Sequence, residues 1–282
     1  MNIRTDLAVE SIGEGGLPAG VRREVRGKAF EITEIIIEDD SCMETLGKGR
    51  GRYITLEGRE LSRFADDYED MTGELAGELR RLIPDGEILV VGLGNNDITP
   101  DAVGPQAAAK VLATRHLRDE LGSDGEDFLL SLRRVSSFAG GVLGQTGIET
   151  AEIVRAIAEQ LHPAGIIAID ALACSDVSRL GTTVQISDSG ISPGSGVSNS
   201  RRELSRKNLG IPVIAVGVPT VVDMHTIVRN LTGSDIPAEL PNMMVTPRDV
   251  DRLTERASQL IAFGINLALH PALSFEDVRG LF

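Results

Sequence analysis

Residues 88 to 105 read ILVVGLGNNDITPDAVGP, and the fold follows from this stretch. Ile88 to Val91 is an unbroken β-branched and aliphatic run, the pattern of a strand buried on both faces of a parallel sheet. Gly92-Leu93-Gly94-Asn95-Asn96 stops it. Thr99, Pro100 and Gly104-Pro105 supply helix-start chemistry, and good helix formers continue from Ala107 to Leu121, so the unit reads strand, tight loop, helix. Asp101 then sits just beyond the carboxyl end of a strand, where open α/β sheets bind ligands.

Working outward, the pattern repeats. Arg133 to Phe138 reads as a strand that runs into 139–147, AGGVLGQTG, whose four glycines imply close backbone approach to a partner, Gly141 among them. Ile148 to Leu161 is a helix, and Gly165 to Ile169 is a buried strand that ends at Asp170. Thr182 to Ile186 and Pro212 to Val218 complete at least five core strands, and Ala238 to Pro247 is a loop before a covering helix from Asp249 to about Leu269. The alternation predicts an α/β fold with a mostly parallel central sheet and helices on both faces. Residues 1–86 form an N-terminal β-rich extension of the same single domain: one edge or peripheral strand over Glu24 to Ile37, a second short strand at Tyr53 to Leu56, then a helix from Arg59 to Leu82. The core occupies 87–282.

The chain has 282 residues, 41% apolar and 25% charged, with no apolar run long enough to span a membrane. A net charge of −14, no tryptophan and 3% aromatics argue against a nucleic-acid binder, which needs a cationic footprint and often stacking rings. No signal-peptide pattern opens the sequence, and Cys42 and Cys174 form no CxxC pair, so a cytoplasmic location is expected.

Two carboxylates stand out by position. Asp101 follows one core strand and Asp170 ends another, and the carboxyl ends of parallel strands share one edge of the sheet, so the side chains can converge in one crevice. Such a pair shares a proton and so holds a general base and a general acid together, which suits peptide hydrolysis. On spacing alone, Asp101 also reads as a helix N-terminal acid and Asp170 as a turn residue. Gly92-Leu93-Gly94 is a weak dinucleotide signal, because the third glycine of that fingerprint falls on Asp97, whose charge would repel a pyrophosphate. Gly94 and its neighbours read instead as turn formers that let backbone lie against a substrate. Gly190-Ile191-Ser192-Pro193-Gly194 matches a nucleophile motif formally, with Asp223 and His225 downstream, but Pro193 and Gly194 break the helix that the motif requires. Ser192 is expected in a loop lining the crevice. His116, His162, His225 and His270 are scattered, so neither a metal nor another cofactor is expected.

These segments also carry a resemblance. VVGLGN with TPDAVGP, GVLGQTGIET, IIAIDALA, TTVQISDSGISPGSGV, LGIPVIAVGVPTVVD, and MVTPRDVD with GINLALH follow in order, after RTDLAVE (Arg4 to Glu10) and GKGRGRYITLE. Together they resemble the germination proteases of spore-forming bacteria over nearly the whole chain. The resemblance implies an endopeptidase that degrades small acid-soluble spore proteins when germination begins, by an aspartic-type mechanism on an α/β fold shared with hydrogenase maturation proteases. The family's catalytic aspartates lie in TPDA and AIDALA, here Asp101 and Asp170; Asn95, near the same crevice, is expected to contact substrate. It further implies a zymogen, a homotetramer and a location in the forespore or spore core. Two departures stand out: Met1 lies three residues before Arg4, leaving little room for a pro-segment, and the stretch between Val228 and Met244 is shorter than in the family. The family cuts within a Glu-rich segment, so Arg50 or Arg52, or Arg201 and Arg202, are expected to bind a substrate glutamate. Two other readings use the same residues: a metal-assisted processing peptidase with both aspartates as ligands, and a binder of spore proteins that does not cut them.

Overall fold

Residues Ile88–Gly92 are buried at every position, as a strand covered on both faces must be. The computed structural model describes residues 5–11, 20–39, 47–63, 65–121, 127–192, 202–234, 236–237 and 241–282. Among the described residues nine strands form one sheet: β1 (Val21–Arg26), β2 (Glu31–Ile37), β3 (Gly51–Glu57), β4 (Ile88–Gly92), β5 (Val135–Phe138), β6 (Gly165–Ala173), β7 (Thr183–Ser187), β8 (Val213–Asp223) and β9 (Met244–Val245). Their order is β1-β2-β3-β7-β8-β6-β4-β5, with β9 added along the end of β8.

The expected parallel strands are present as a block, β8-β6-β4-β5. The remaining strands extend it as an antiparallel wing, so the sheet as a whole is mixed. The wing is antiparallel for a local reason. Only residues 27–30 connect β1 to β2, enough for a hairpin but not for the crossover that a parallel pair requires. The charged and apolar run from Glu24 to Ile37 is therefore a hairpin and not a single peripheral strand.

Helices cover both faces. On one face α1 (Tyr68–Arg80), α2 (Val103–Ala108) and α5 (Val250–Leu269) pack over Ile88, Val90, Ile167, Ile169 and Val216. On the other, α3 (Thr150–Leu161) packs over the intervening residues Leu89, Val91, Ile166 and Ala168. Alternate residues of β4 and β6 thus enter different cores, which is why these strands show no polar alternation. The smaller helices α4 (Met224–Thr232) and α6 (Phe275–Leu281) flank this core.

Two expected helices are shorter than their sequence pattern. The segment before α1 starts with its backbone committed elsewhere: Gly58 N donates to Thr182 O and Leu61 N to Gly181 O, so the helix begins at Tyr68 and not at Arg59. The helix expected from Ala107 to Leu121 instead begins at Val103, stops at Ala108 and resumes at Arg115. Asn266 on α5 causes the break. Its Oδ1 accepts from Leu112 N at 2.9 Å and its Nδ2 donates to Lys110 O at 2.9 Å, replacing the bonds a continuous helix would make.

The segment at residues 5–11 is stitched to the end of β6. Asp6 N donates to Ala173 O at 3.0 Å, Ala173 N returns a 2.8 Å bond to Asp6 Oδ2, and the Glu10 carboxylate accepts from the backbone of Ser175 and Asp176. Leu7 packs between Leu172, Cys174 and Val222.

Candidate active site

Asp101 ends a 3₁₀ turn, Thr99–Asp101, wedged between β4 and α2. Two fully buried hydroxyls hold this turn: Thr220 Oγ1 on β8 donates to Pro100 O at 2.7 Å, and Thr254 Oγ1 on α5 donates to Thr99 O at 3.0 Å. The Asp101 carboxylate is half-buried and its Oδ2 accepts from Asn95 N at 2.7 Å. Gly94 makes that bond possible. Its φ is +111°, and a Cβ there would lie 2.1 Å from Asp101 O, so a side chain would drive the loop off the turn.

Asp170 lies inside β6, which runs three residues further to Ala173, and not at the strand's end as expected. Pairing with β8 extends the strand, and a register shift between Leu172 and Ala173 marks its last residues. Asp170 is 5% exposed, opposite Gly217, and its Oδ1 accepts from Ala171 N at 3.0 Å. Strand parity places it on the α3 face, with Ile166 and Ala168.

The two acids flank one short stretch of chain. Leu93 N bonds Ile169 O at 2.8 Å, beside Asp170, and two residues later Asn95 N bonds Asp101. Close packing fixes this arrangement, since a Cβ at Gly104, in the first turn of α2, would lie 2.2 Å from Leu93 O and 2.4 Å from Ile169 O. Asp101, Gly94 and Asn95 lie in the loop that follows β4, and the backbone of this loop is bonded to β6 at the residue before Asp170.

A groove of about 690 Å³ opens beside them, lined by Gly94, Asn96, Gln106, Lys110, Gly141 and Gln145 among others. Gln145 closes one side, its Nε2 donating to Asn95 Oδ1 at 2.8 Å and to Asp97 Oδ2 at 2.9 Å. Gly141 thus borders the same space as Gly94.

The other expected contacts sit elsewhere. Arg52 pairs with Glu34 at 3.5 Å on the α1 face of the wing, opposite the face that carries Asp170, because even-numbered residues of β3 enter that core. Arg50 immediately precedes β3 on the same wing. Arg202 pairs with Glu152 on α3 at 2.7 Å, with both side chains exposed. Ser192 follows the bridge between Ile191 and Leu204. Arg201, Cys42 and residues 193–200 lie outside the described residues. The Asp223 carboxylate caps α4, accepting from Thr226 N and Asn242 Nδ2, so it does not serve Ser192 in a triad. Among the described residues no three His, Cys, Asp or Glu side chains cluster as metal ligands. No helix there is long and apolar enough to cross a membrane.

The sequence gives little sign of Thr220, Thr254, Lys110 or Gln145. Each sits in a pattern already explained by its strand, helix or loop, and its importance comes from contacts made across the sequence.

Fold and site together define an α/β protein whose acidic side chains gather at the carboxyl edge of a parallel strand block. The family model for germination proteases matches residues 18–233, and the chain belongs to that family. It is therefore a peptidase. It is 36% identical to the germination protease of Clostridium tetani over 99% of each chain, and 37% identical to that of Caldanaerobacter subterraneus subsp. tengcongensis over 100% of this chain and 98% of the relative. The Bacillus velezensis germination protease is 33% identical, over 99% of this chain and 96% of the relative. These alignments run to 322, 321 and 361 positions against 282 residues here, so the relatives carry residues that this chain lacks. Among solved structures, the [NiFe] hydrogenase maturation protease HycI of Thermococcus kodakarensis matches with a TM-score of 0.37 and 18% identity, over 67% of this chain and 98% of that one.

Proposed function

We propose that this chain is an endopeptidase that cleaves small acid-soluble spore proteins during germination, with Asp101 and Asp170 as its acid-base pair. The observation that carries the reading is that the short stretch Leu93–Asn95 bonds Ile169, next to Asp170, at one end and the Asp101 carboxylate at the other, while Gly94 within it also lines a groove of about 690 Å³. Each aspartate has one oxygen held by a backbone N–H, which fixes its orientation. Two acids in one crevice share a proton and titrate as a unit. The ionised member takes a proton from water as it attacks the scissile carbonyl. The protonated member polarises that carbonyl and then protonates the leaving amine. Gly94 and Gly141 leave the groove walls bare, so substrate backbone can approach them. A homotetramer in the forespore or spore core belongs to the same reading, and light scattering on the purified protein tests the assembly.

The decisive experiment is cleavage of a small acid-soluble spore protein by wild type, Asp101→Asn and Asp170→Asn at neutral pH, with and without chelator. Wild type is expected to cut in both conditions, and each variant to lose at least about 10²-fold in kcat, the scale of general acid-base catalysis, while staying folded. Loss of cutting with chelator would make the carboxylates metal ligands, and an active Asp170→Asn would remove it from the mechanism.

A further inference from the structure

The groove beside Asp101 contains an ammonium group without a matching carboxylate. Lys110 lines it, half-buried, and its Nζ donates a 3.3 Å hydrogen bond to Ser258 Oγ. Burial lowers its pKa, against the opposing charge of Glu255, yet no carboxylate among the described residues comes within ion-pair distance. Elsewhere several part-buried arginines are matched by carboxylates: Arg26 and Arg81 share Glu34 and Glu78, Arg115 and Arg134 share Glu87, and Arg179 meets Glu57, while the part-buried Lys48 is held by the carbonyl oxygens of Thr5 and Asp6. Asp97, on the same groove, is already bonded by Gln145.

A part-desolvated cation that no carboxylate touches directly costs free energy that an anion bound in contact would recover. Its position sets where that anion sits. Lys110 follows Asp101 by nine residues, mostly along α2, which at about 1.5 Å per residue is about 13 Å. An extended peptide covers that distance in about four residues. We infer that Lys110 recognises an acidic side chain of the bound polypeptide, about four residues from the bond that is cut. This specificity contact rests on the endopeptidase reading above.

The test pairs the enzyme with its substrate. Wild type, Lys110→Gln and Lys110→Arg are assayed on a small acid-soluble spore protein and on versions in which each acidic residue within five positions of the cut bond is neutralised singly. Lys110→Gln is expected to raise KM about tenfold with kcat within about twofold, and Lys110→Arg to restore KM. One neutralised substrate should raise the wild-type KM to the same extent and show no further rise with Lys110→Gln. In parallel, the Asp101→Asn form, with and without Lys110→Gln, is titrated with a labelled peptide spanning the cut site. Equal binding by the two forms, or a KM that ignores Lys110 on every substrate, overturns the inference while leaving the endopeptidase reading intact. Lys110-dependent binding without any cutting by wild type upholds acid recognition and rejects the endopeptidase reading.

Discussion

Thr220 and Thr254 are both fully buried, and each donates its hydroxyl to a carbonyl of the turn that ends in Asp101. Thr220→Val keeps the shape and removes the donor, leaving Pro100 O in a dry environment without a partner, at a cost of about 1–3 kcal/mol. Urea denaturation should show that loss. On the proposed mechanism, in which the turn orients a reacting group more than it binds substrate, kinetics should show a fall in kcat with little change in KM, and Thr220→Ser should restore both stability and kcat. Asp101 was legible in the sequence because a strand, a glycine loop and a helix start bracket it. Thr220 was not, since a β-branched residue in GVPTVVD is already accounted for as strand. Lys110 was hidden in the same way, by a helical pattern that gives lysines a solvated face.

At the level of elements, Asn266 does what a loop residue usually does. From inside α5, fully buried, it bonds the backbone of Lys110 and Leu112 and so ends α2. Asn266→Leu would orphan both groups, and at about 1–3 kcal/mol for each the expected destabilisation is about 2–6 kcal/mol, measurable by denaturant melts, with faster hydrogen exchange at Leu112. The sequence predicts one long helix here because its formers run unbroken from Ala107 to Leu121, and a contact about 150 positions away overrides them. The parallel block was legible for the opposite reason: its strands are apolar on both faces, a pattern that few other environments produce. β6 outlasting Asp170 was not, because its last residues are set by the partner strand β8.

For the whole molecule, acid is the weakness. His270 is 1% exposed, and burial, only partly offset by the backbone of Leu112, pushes its pKa down from 6.5 to about 4. The unfolded chain therefore binds the proton first, and stability falls as pH drops from 6.5 to about 4, by up to about 1.4 kcal/mol per pH unit. His270→Leu should flatten that part of the profile in urea melts across pH. Burial alone would raise the Glu34 carboxyl, but the hydrogen bond and charge of Arg81, with Arg26, more than reverse it and hold it below the usual carboxylate range. Its contribution is present above that range and is lost only at lower pH, as the folded carboxyl protonates. A separate property follows from the order of the strands. β8 lies between β7 and β6, and it is the last core strand to leave the ribosome. Until it exists, the nascent chain holds two part-sheets with open edges: a wing whose Thr55 must find Gln185 across 130 positions, and a three-stranded block. Synthesis of Val213–Asp223 joins them, so folding is slow, non-local and completed last at the middle of the sheet.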